Sequence, residues 1–135
     1  MFEITIPMRP VAKARPRFAN GRVHTDPKTA AAEQAIAWAV KAHMLKEGIQ
    51  VYETPVSMYM EFGFAFPQQM TKAEKELVKH GKFHHIKRPD LDNAVKLTMD
   101  SLNKIAYRDD SLVVHIEAFK VYGESDYITI KFEEV

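Results

Sequence analysis

The sequence predicts a single small α+β domain in which helices pack on a mixed or antiparallel sheet. Predicted strands and helices alternate without the regular strand–helix–strand repeat that builds a parallel sheet. A short turn joins the last two strands, which favours an antiparallel pair. The length of 135 residues fits one domain, spanning residues 1–135, and suffices for a buried core.

The N-terminal part supplies a strand, a small hairpin and a long helix. The strand covers residues 2–6, and Asn20-Gly21 is a tight-turn signal that predicts a hairpin after it. Asp26-Pro27 begins a long helix that stops before Gly48.

The C-terminal part adds a strand over residues 56–66, whose apolar residues alternate, and a short helix over residues 71–80 with Thr71 as its N-cap. A further helix follows Pro89. Strands over residues 112–122 and 127–133 then form the predicted terminal hairpin.

Residues 88–110, RPDLDNAVKLTMDSLNKIAYRDD, form the most specific segment of the chain. If Asp90 opens a helix, Asp92 and Lys96 stand four residues apart on one face, because neighbours on a helix surface are three or four residues apart. The same face takes Asn93, Asp100 and Asn103. The opposite face is suited to packing on a core and carries Leu91, Ala94, Val95, Thr98, Met99 and Leu102. The carboxylates are therefore expected to face away from the core.

Several aspartates beside one lysine suggest metal-assisted phosphodiester hydrolysis. Carboxylate oxygens are the hard ligands that Mg²⁺ prefers, and Asp90 and Asp92 supply two of them. Asp110, after the helix, can close the site, and the Lys96 ammonium can hold a phosphate or a nucleophilic water.

A purely structural interpretation of the same residues stays open. In it Asp90 only caps the helix, Asp92 and Lys96 form a surface ion pair worth about 0.3–0.5 kcal/mol, and Asp109-Asp110 makes a turn. Neighbouring carboxylates repel each other unless a cation lies between them. The grouping of several aspartates therefore favours the metal site. A mixed site for Mn²⁺ or Zn²⁺ is a further alternative, drawing on His80, His84 and His85.

The aspartate-rich segment resembles the RusA family of Holliday-junction resolvases. The residues that carry the resemblance are Arg88-Pro89-Asp90-Leu91-Asp92-Asn93, Lys96, Asp100, Leu102-Asn103, Asp109-Asp110 and Lys120. The N-terminal pattern is similar to the opening of many phage and prophage members, through Pro10, Lys13, Arg15-Pro16-Arg17, Thr25 and Pro27.

The resemblance implies an enzyme that resolves four-way DNA junctions by paired symmetrical nicks during recombination and repair. It implies that Asp90, Asp92 and Asp110 are catalytic acids that bind Mg²⁺, and that Lys96 is the essential lysine. Supporting positions are Asn93, Asp100, Asp109 and Lys120. It also implies a homodimer. Among the predicted elements, the long helix and a sheet edge are the candidate interfaces, and the sequence does not choose between them.

Basic residues flank the candidate site although the formal net charge is only +1. They displace condensed counterions from phosphates, and the expected DNA-binding residues are Lys13, Arg15, Arg17, Arg22, Lys87 and Arg88. The alternative from another class is a non-catalytic nucleic-acid-binding protein that uses this basic arm alone. Aspartates beside the basic surface argue against it, because they would weaken phosphate binding.

Composition excludes several other classes. The chain has no cysteine, so disulfides, thiolate zinc sites and thiol nucleophiles are excluded. No apolar run approaches the roughly 20 residues of a membrane span, and no signal-peptide pattern opens the sequence, so a cytoplasmic protein is expected. A glycine-rich phosphate loop and a nucleophile elbow are also missing.

Overall fold

A computed structural model describes residues 1–13, 17–24 and 26–135, apart from the side chains of Arg17, Ala19 and His24. Within these residues the strands are β1 (Phe2–Ile6), β2 (Arg17–Ala19), β3 (Arg22–His24), β4 (Val56–Ala65), β5 (Val113–Gly123) and β6 (Tyr127–Glu134). The helices are α1 (Pro27–Glu47), α2 (Lys72–Lys79) and α3 (Leu91–Leu102), and a 3-10 turn covers Asp110–Leu112. The predicted α+β class is confirmed.

Four of the strands form one mixed sheet in the order β1-β6-β4-β5. β6 runs antiparallel to both β1 and β4, whereas β5 runs parallel to β4 along its outer edge. β2 and β3 form the separate hairpin predicted at Asn20-Gly21, where both residues have positive φ.

The predicted terminal hairpin of the last two strands is wrong, because β4 lies between β5 and β6. The connection between them crosses the end of β4 and bonds to it. The Phe66 amide donates to the Gly123 carbonyl at 3.0 Å, and the Ala65 amide donates to a carboxylate oxygen of Asp126 at 2.8 Å. A turn that looks like a hairpin turn therefore joins two strands that do not pair.

One face of the sheet carries the core. Val56, Met58, Met60, Phe62 and Phe64 of β4 are all buried, while Ser57, Tyr59 and Glu61 between them are only partly buried. This alternation is what a strand with one covered face requires. Helices α1 and α3 pack against each other and add their apolar stripes, Ile36, Val40 and Met44 from α1 and Ala94, Leu97 and Leu102 from α3.

Local signals set the helix ends as the sequence predicts. The Asp26 carboxylate accepts from the amides of Lys28 and Thr29 at the start of α1, and Gly48 ends α1 with φ of 69°. Thr71 begins α2 in a complete capping box. Across the described ranges, no helix combines the length and apolar character needed to cross a membrane.

Candidate active site

Helix α3 presents its charged face to solvent. Its buried residues are Ala94, Leu97, Thr98, Ser101 and Leu102, and its exposed charged residues are Asp92, Lys96 and Asp100. The buried hydroxyls of Thr98 and Ser101 donate to backbone carbonyls one turn earlier in the helix. They therefore form no hydrogen bonds to the charged side chains on the exposed face. The 3.6-residue period thus places the charges as predicted.

The Asp90 carboxylate does not cap the helix that it precedes. Asp90 occupies the N-cap position of α3, but its side chain makes no capping hydrogen bond. Asp26, at the same position of α1, accepts two backbone N–H bonds. The capping interpretation of Asp90 is therefore wrong, and its exposed carboxylate remains available for another partner.

Asp92 and Lys96 are exposed side by side on α3 without forming an ion pair. Both side chains are described, and the ion pairs of the described residues do not include them. The surface ion-pair interpretation is therefore wrong as well. An acid and a base held on one face without mutual neutralisation can each bind a different part of a substrate.

The two aspartates after α3 have different surroundings. The Asp109 carboxylate accepts from the Ser111 amide at 3.0 Å, and hydrogen bonding from Ser111 lowers the pKa of Asp109. Asp109 thus makes the expected turn. Asp110 opens the 3-10 turn and is exposed.

Tyr107 ties this turn to α3. Its buried hydroxyl donates to the Met99 carbonyl at 2.7 Å. Burial raises the pKa of Tyr107, and the negative charges of Asp110, Asp100 and Asp109 raise it further. All three carboxylates therefore lie within electrostatic range of one hydroxyl at the end of α3.

The structure does not gather these acids into a closed metal cage. Among the residues it describes, no group of three or more His, Cys, Asp or Glu side chains is arranged to hold a metal ion. The donor chemistry nevertheless fits Mg²⁺, because Asp90, Asp92 and Asp110 offer exposed hard oxygens. This ion commonly takes only one or two carboxylates and completes its shell with waters and substrate phosphates.

Lys13 docks the N-terminal segment on the site helix. Its amide donates to the Asn93 carbonyl at 3.1 Å, and its ammonium pairs with Glu33 of α1 at 2.9 Å and Asp100 of α3 at 3.3 Å. The hydrogen bond to Glu33 raises the pKa of Lys13. Of the other expected DNA-binding residues, Arg22, Lys87 and Arg88 are exposed, whereas Arg15 and the Arg17 side chain lie outside the described residues.

Lys120 reaches from β5 to the segment that enters α3. Its ammonium donates to the carbonyls of Lys87, at 2.8 Å, and Pro89, at 3.1 Å. The peptide bond between Arg88 and Pro89 is cis. Lys120 therefore fixes the backbone immediately before Asp90.

Comparison with known proteins decides what kind of protein carries these groups. Residues 7–133 match the family described as "Endodeoxyribonuclease RusA". The chain belongs to the RusA family. The predicted family and enzyme class, an endodeoxyribonuclease, are thereby confirmed.

Two known proteins are similar in sequence to this RusA-family chain. It is 33% identical to "Uncharacterized protein YqaN" of Bacillus subtilis (strain 168), over 98% of this chain and 96% of the relative. It is 47% identical to "Crossover junction endodeoxyribonuclease rusA" of Lactococcus phage r1t, over 36% of this chain and 37% of that protein. Every candidate site residue from Lys13 to Lys120 lies within the region that matches the family.

His85 is a residue of this RusA-family chain whose position sequence reasoning missed. It is buried at 5% exposure, stacks on Phe64 with ring centres 3.8 Å apart, and meets Tyr122 edge-on. Burial lowers the pKa of His85, and the positive charges of Lys120 and Arg9 lower it further. His85 is thus a buried residue of the loop that leads to Asp90. Its burial follows from its contacts with Phe64 and Tyr122, which are distant in sequence.

Proposed function

We propose that the chain is a Mg²⁺-dependent endodeoxyribonuclease that resolves four-way DNA junctions by paired nicks in opposed strands, acting as a homodimer. Membership of the RusA family supports the nuclease class, and the phage relative is named a crossover junction endodeoxyribonuclease. The observation that carries the proposal is the exposed Asp90 carboxylate, which sits at a helix N-cap yet makes no capping bond.

The residues that would hold Mg²⁺ are Asp90, Asp92 and Asp110. With these residues a closed cage of carboxylates would not be needed, because Mg²⁺ commonly takes one or two carboxylates together with waters and substrate phosphates. When bound, the ion activates a water and offsets charge on the phosphate under attack.

The remaining groups of the chain handle the substrate. The Lys96 ammonium, exposed on the same face as Asp92, attracts the scissile phosphate and stabilises the negative charge that develops on it. Lys87 and Arg88 precede Asp90 and are exposed, so they bind phosphates next to the cleavage position. Lys120 acts through the backbone, because it holds the segment that carries Asp90.

Incubation of the purified protein with an end-labelled four-way junction, with and without Mg²⁺, tests the proposal. We expect Mg²⁺-dependent nicks at symmetrical positions in two opposed strands, and little cleavage of a linear duplex of the same sequence. Junction binding without any cleavage in Mg²⁺ would favour the non-catalytic alternative. A monomer by light scattering that still makes paired nicks would exclude the homodimer.

A further inference from the structure

A cavity of about 400 Å³ lies between α2 and the loop of residues 82–87, which leads to Asp90. Phe83 and Tyr122 line it, and their rings are 6.1 Å apart with planes inclined at 39°. Ile86 stands at its rim with 89% of its surface exposed. The volume falls within the range of about 300–1,000 Å³ typical of sites for small organic groups.

The charge around this aromatic cavity suits a phosphate-bearing ligand. Lys82 and Lys87 line it with exposed side chains. The lining also includes the carboxylate of Glu74, which accepts a hydrogen bond from the Thr71 amide at 2.9 Å in the capping box of α2. Two ammonium groups against one carboxylate leave the lining with an excess of positive charge, which favours an anionic ligand.

The cavity shares a residue with the segment that leads into the candidate active site. Lys87 lines the cavity and lies three residues before Asp90, and Lys120 binds the carbonyls of Lys87 and Pro89. A ligand held in the cavity would therefore lie beside the segment that carries Asp90.

We propose that this cavity binds one unstacked DNA base, with the flanking phosphates on Lys82 and Lys87. Aromatic side chains stack on any base, while the bases of a continuous duplex are already stacked on each other. The cavity thus selects DNA whose stacking is interrupted at a branch. This inference rests on the proposed function in one respect, namely that the substrate is branched DNA.

Binding without metal separates base recognition from cleavage. The probes are a fluorescent oligothymidylate of about eight nucleotides and an abasic strand of equal length and charge, compared by anisotropy in EDTA. We expect the wild-type chain to bind the strand with bases on the order of 10-fold more tightly, since one stacked base contributes a factor of roughly 5 to 150. Equal affinity for the two strands would overturn the inference.

Substitutions at Phe83 test whether stacking on its ring causes the preference for the strand with bases. Phe83→Leu keeps an apolar side chain but removes the ring, so we expect it to erase most of the preference, whereas Phe83→Trp should retain it. Trp38→Leu is the matched control, because Trp38 is an exposed aromatic residue outside the cavity, and its preference should equal that of wild type. A preference unchanged in Phe83→Leu, or lost in Trp38→Leu, would contradict the inference.

Photocrosslinking of the wild-type protein gives a result that does not depend on how the variants fold. A strand carrying 5-iodouracil should crosslink to Phe83 or Tyr122, as read by peptide mass spectrometry, and crosslinks confined to other regions would overturn the inference. Junction cleavage without a base preference would remove the base site and leave the proposed function intact. A base preference without junction cleavage would support the base site and contradict the proposed function.

Discussion

At the residue scale, two aspartates at equivalent helix positions have different roles. Asp26 caps α1 through two hydrogen bonds, while the Asp90 side chain makes none to α3. We therefore expect Asp26→Ala to lower the free energy of unfolding by about 0.5–2 kcal/mol. Asp90→Ala should lower it by no more than about 0.5 kcal/mol, because it loses no cap bond. Urea unfolding checks both, and an equal loss would contradict a free Asp90 carboxylate.

Lys96 allows charge to be separated from shape. If its ammonium contacts the phosphate, Lys96→Ala should remove most of the cleavage rate. Lys96→Arg should recover little, because a planar guanidinium cannot occupy the compact position of an ammonium. Single-turnover cleavage measures the rate, and thermal unfolding confirms the fold. Near-wild-type cleavage by Lys96→Ala would exclude the catalytic role.

His85 gives stability a pH dependence whose sign follows from its buried position. Burial lowers its pKa below the ordinary 6.5, so the unfolded chain binds a proton at a higher pH than the folded chain does. The free energy of unfolding should therefore fall as the pH drops from about 7 to about 5. His85→Phe should reduce this decrease, since the substituted side chain does not titrate. Urea unfolding across this range measures it, and an unchanged slope in the variant would contradict the assignment.

The sequence predicts the exposure of a side chain well where it depends only on the position of the residue around one helix. The exposure of Asp92, Lys96 and Asp100 follows from the helical period alone. The pairing of Lys13 with Glu33 and Asp100 could not be foreseen, because it depends on how α1 packs against α3. The missing cap bond of Asp90 is equally hidden, because an N-cap aspartate has the same sequence pattern whether or not its side chain bonds to the helix.

At the element scale, Lys120 joins β5 to the segment that leads into α3. Lys120→Met should leave the carbonyls of Lys87 and Pro89 without this donor, at a cost of about 1.5–3 kcal/mol, as for hydrogen bonds to charged groups. Because Asp90 then loses its fixed position, cleavage should fall more than junction binding. Lys72→Met is the matched control, since Lys72 is exposed on α2. Equal unfolding free energies for the two variants would contradict this role.

The sequence predicts where β6 lies along the chain but not which strands it pairs with. Two strands separated by a short turn usually pair, so residues 112–133 predict a hairpin. The chain instead spans two strand spacings, about 10 Å, which a few extended residues can reach. Asp126 bonds to the end of β4 and supports that crossing, and the Tyr127 ring covers Gly63, where a Cβ atom would overlap it. These contacts join residues about 60 positions apart, so no local pattern reveals them.

At the scale of the whole molecule, the formal net charge is only +1, but acidic and basic residues lie in different parts of the chain. Exposed acids cluster along α3 and the turn after it, while Lys87 and Arg88 lead into that helix and Lys13 fastens the N-terminal segment to it. The core holds α1 and α3 together on one face of the sheet. The fold thus holds exposed lysine and arginine side chains on the segment that leads to free carboxylates, which is the arrangement on which the proposed cleavage of DNA depends.

Single-turnover cleavage of a four-way junction by Asp92→Asn tests whether the carboxylates of α3 bind a catalytic metal ion. The amide is nearly isosteric but neutral, so it weakens metal binding and relieves repulsion of the phosphate. We expect cleavage to be lost while junction binding stays equal or becomes tighter. Glu47→Gln, which neutralises an exposed carboxylate at the end of α1, should cleave as wild type does. Full Mg²⁺-dependent cleavage by Asp92→Asn would contradict the account.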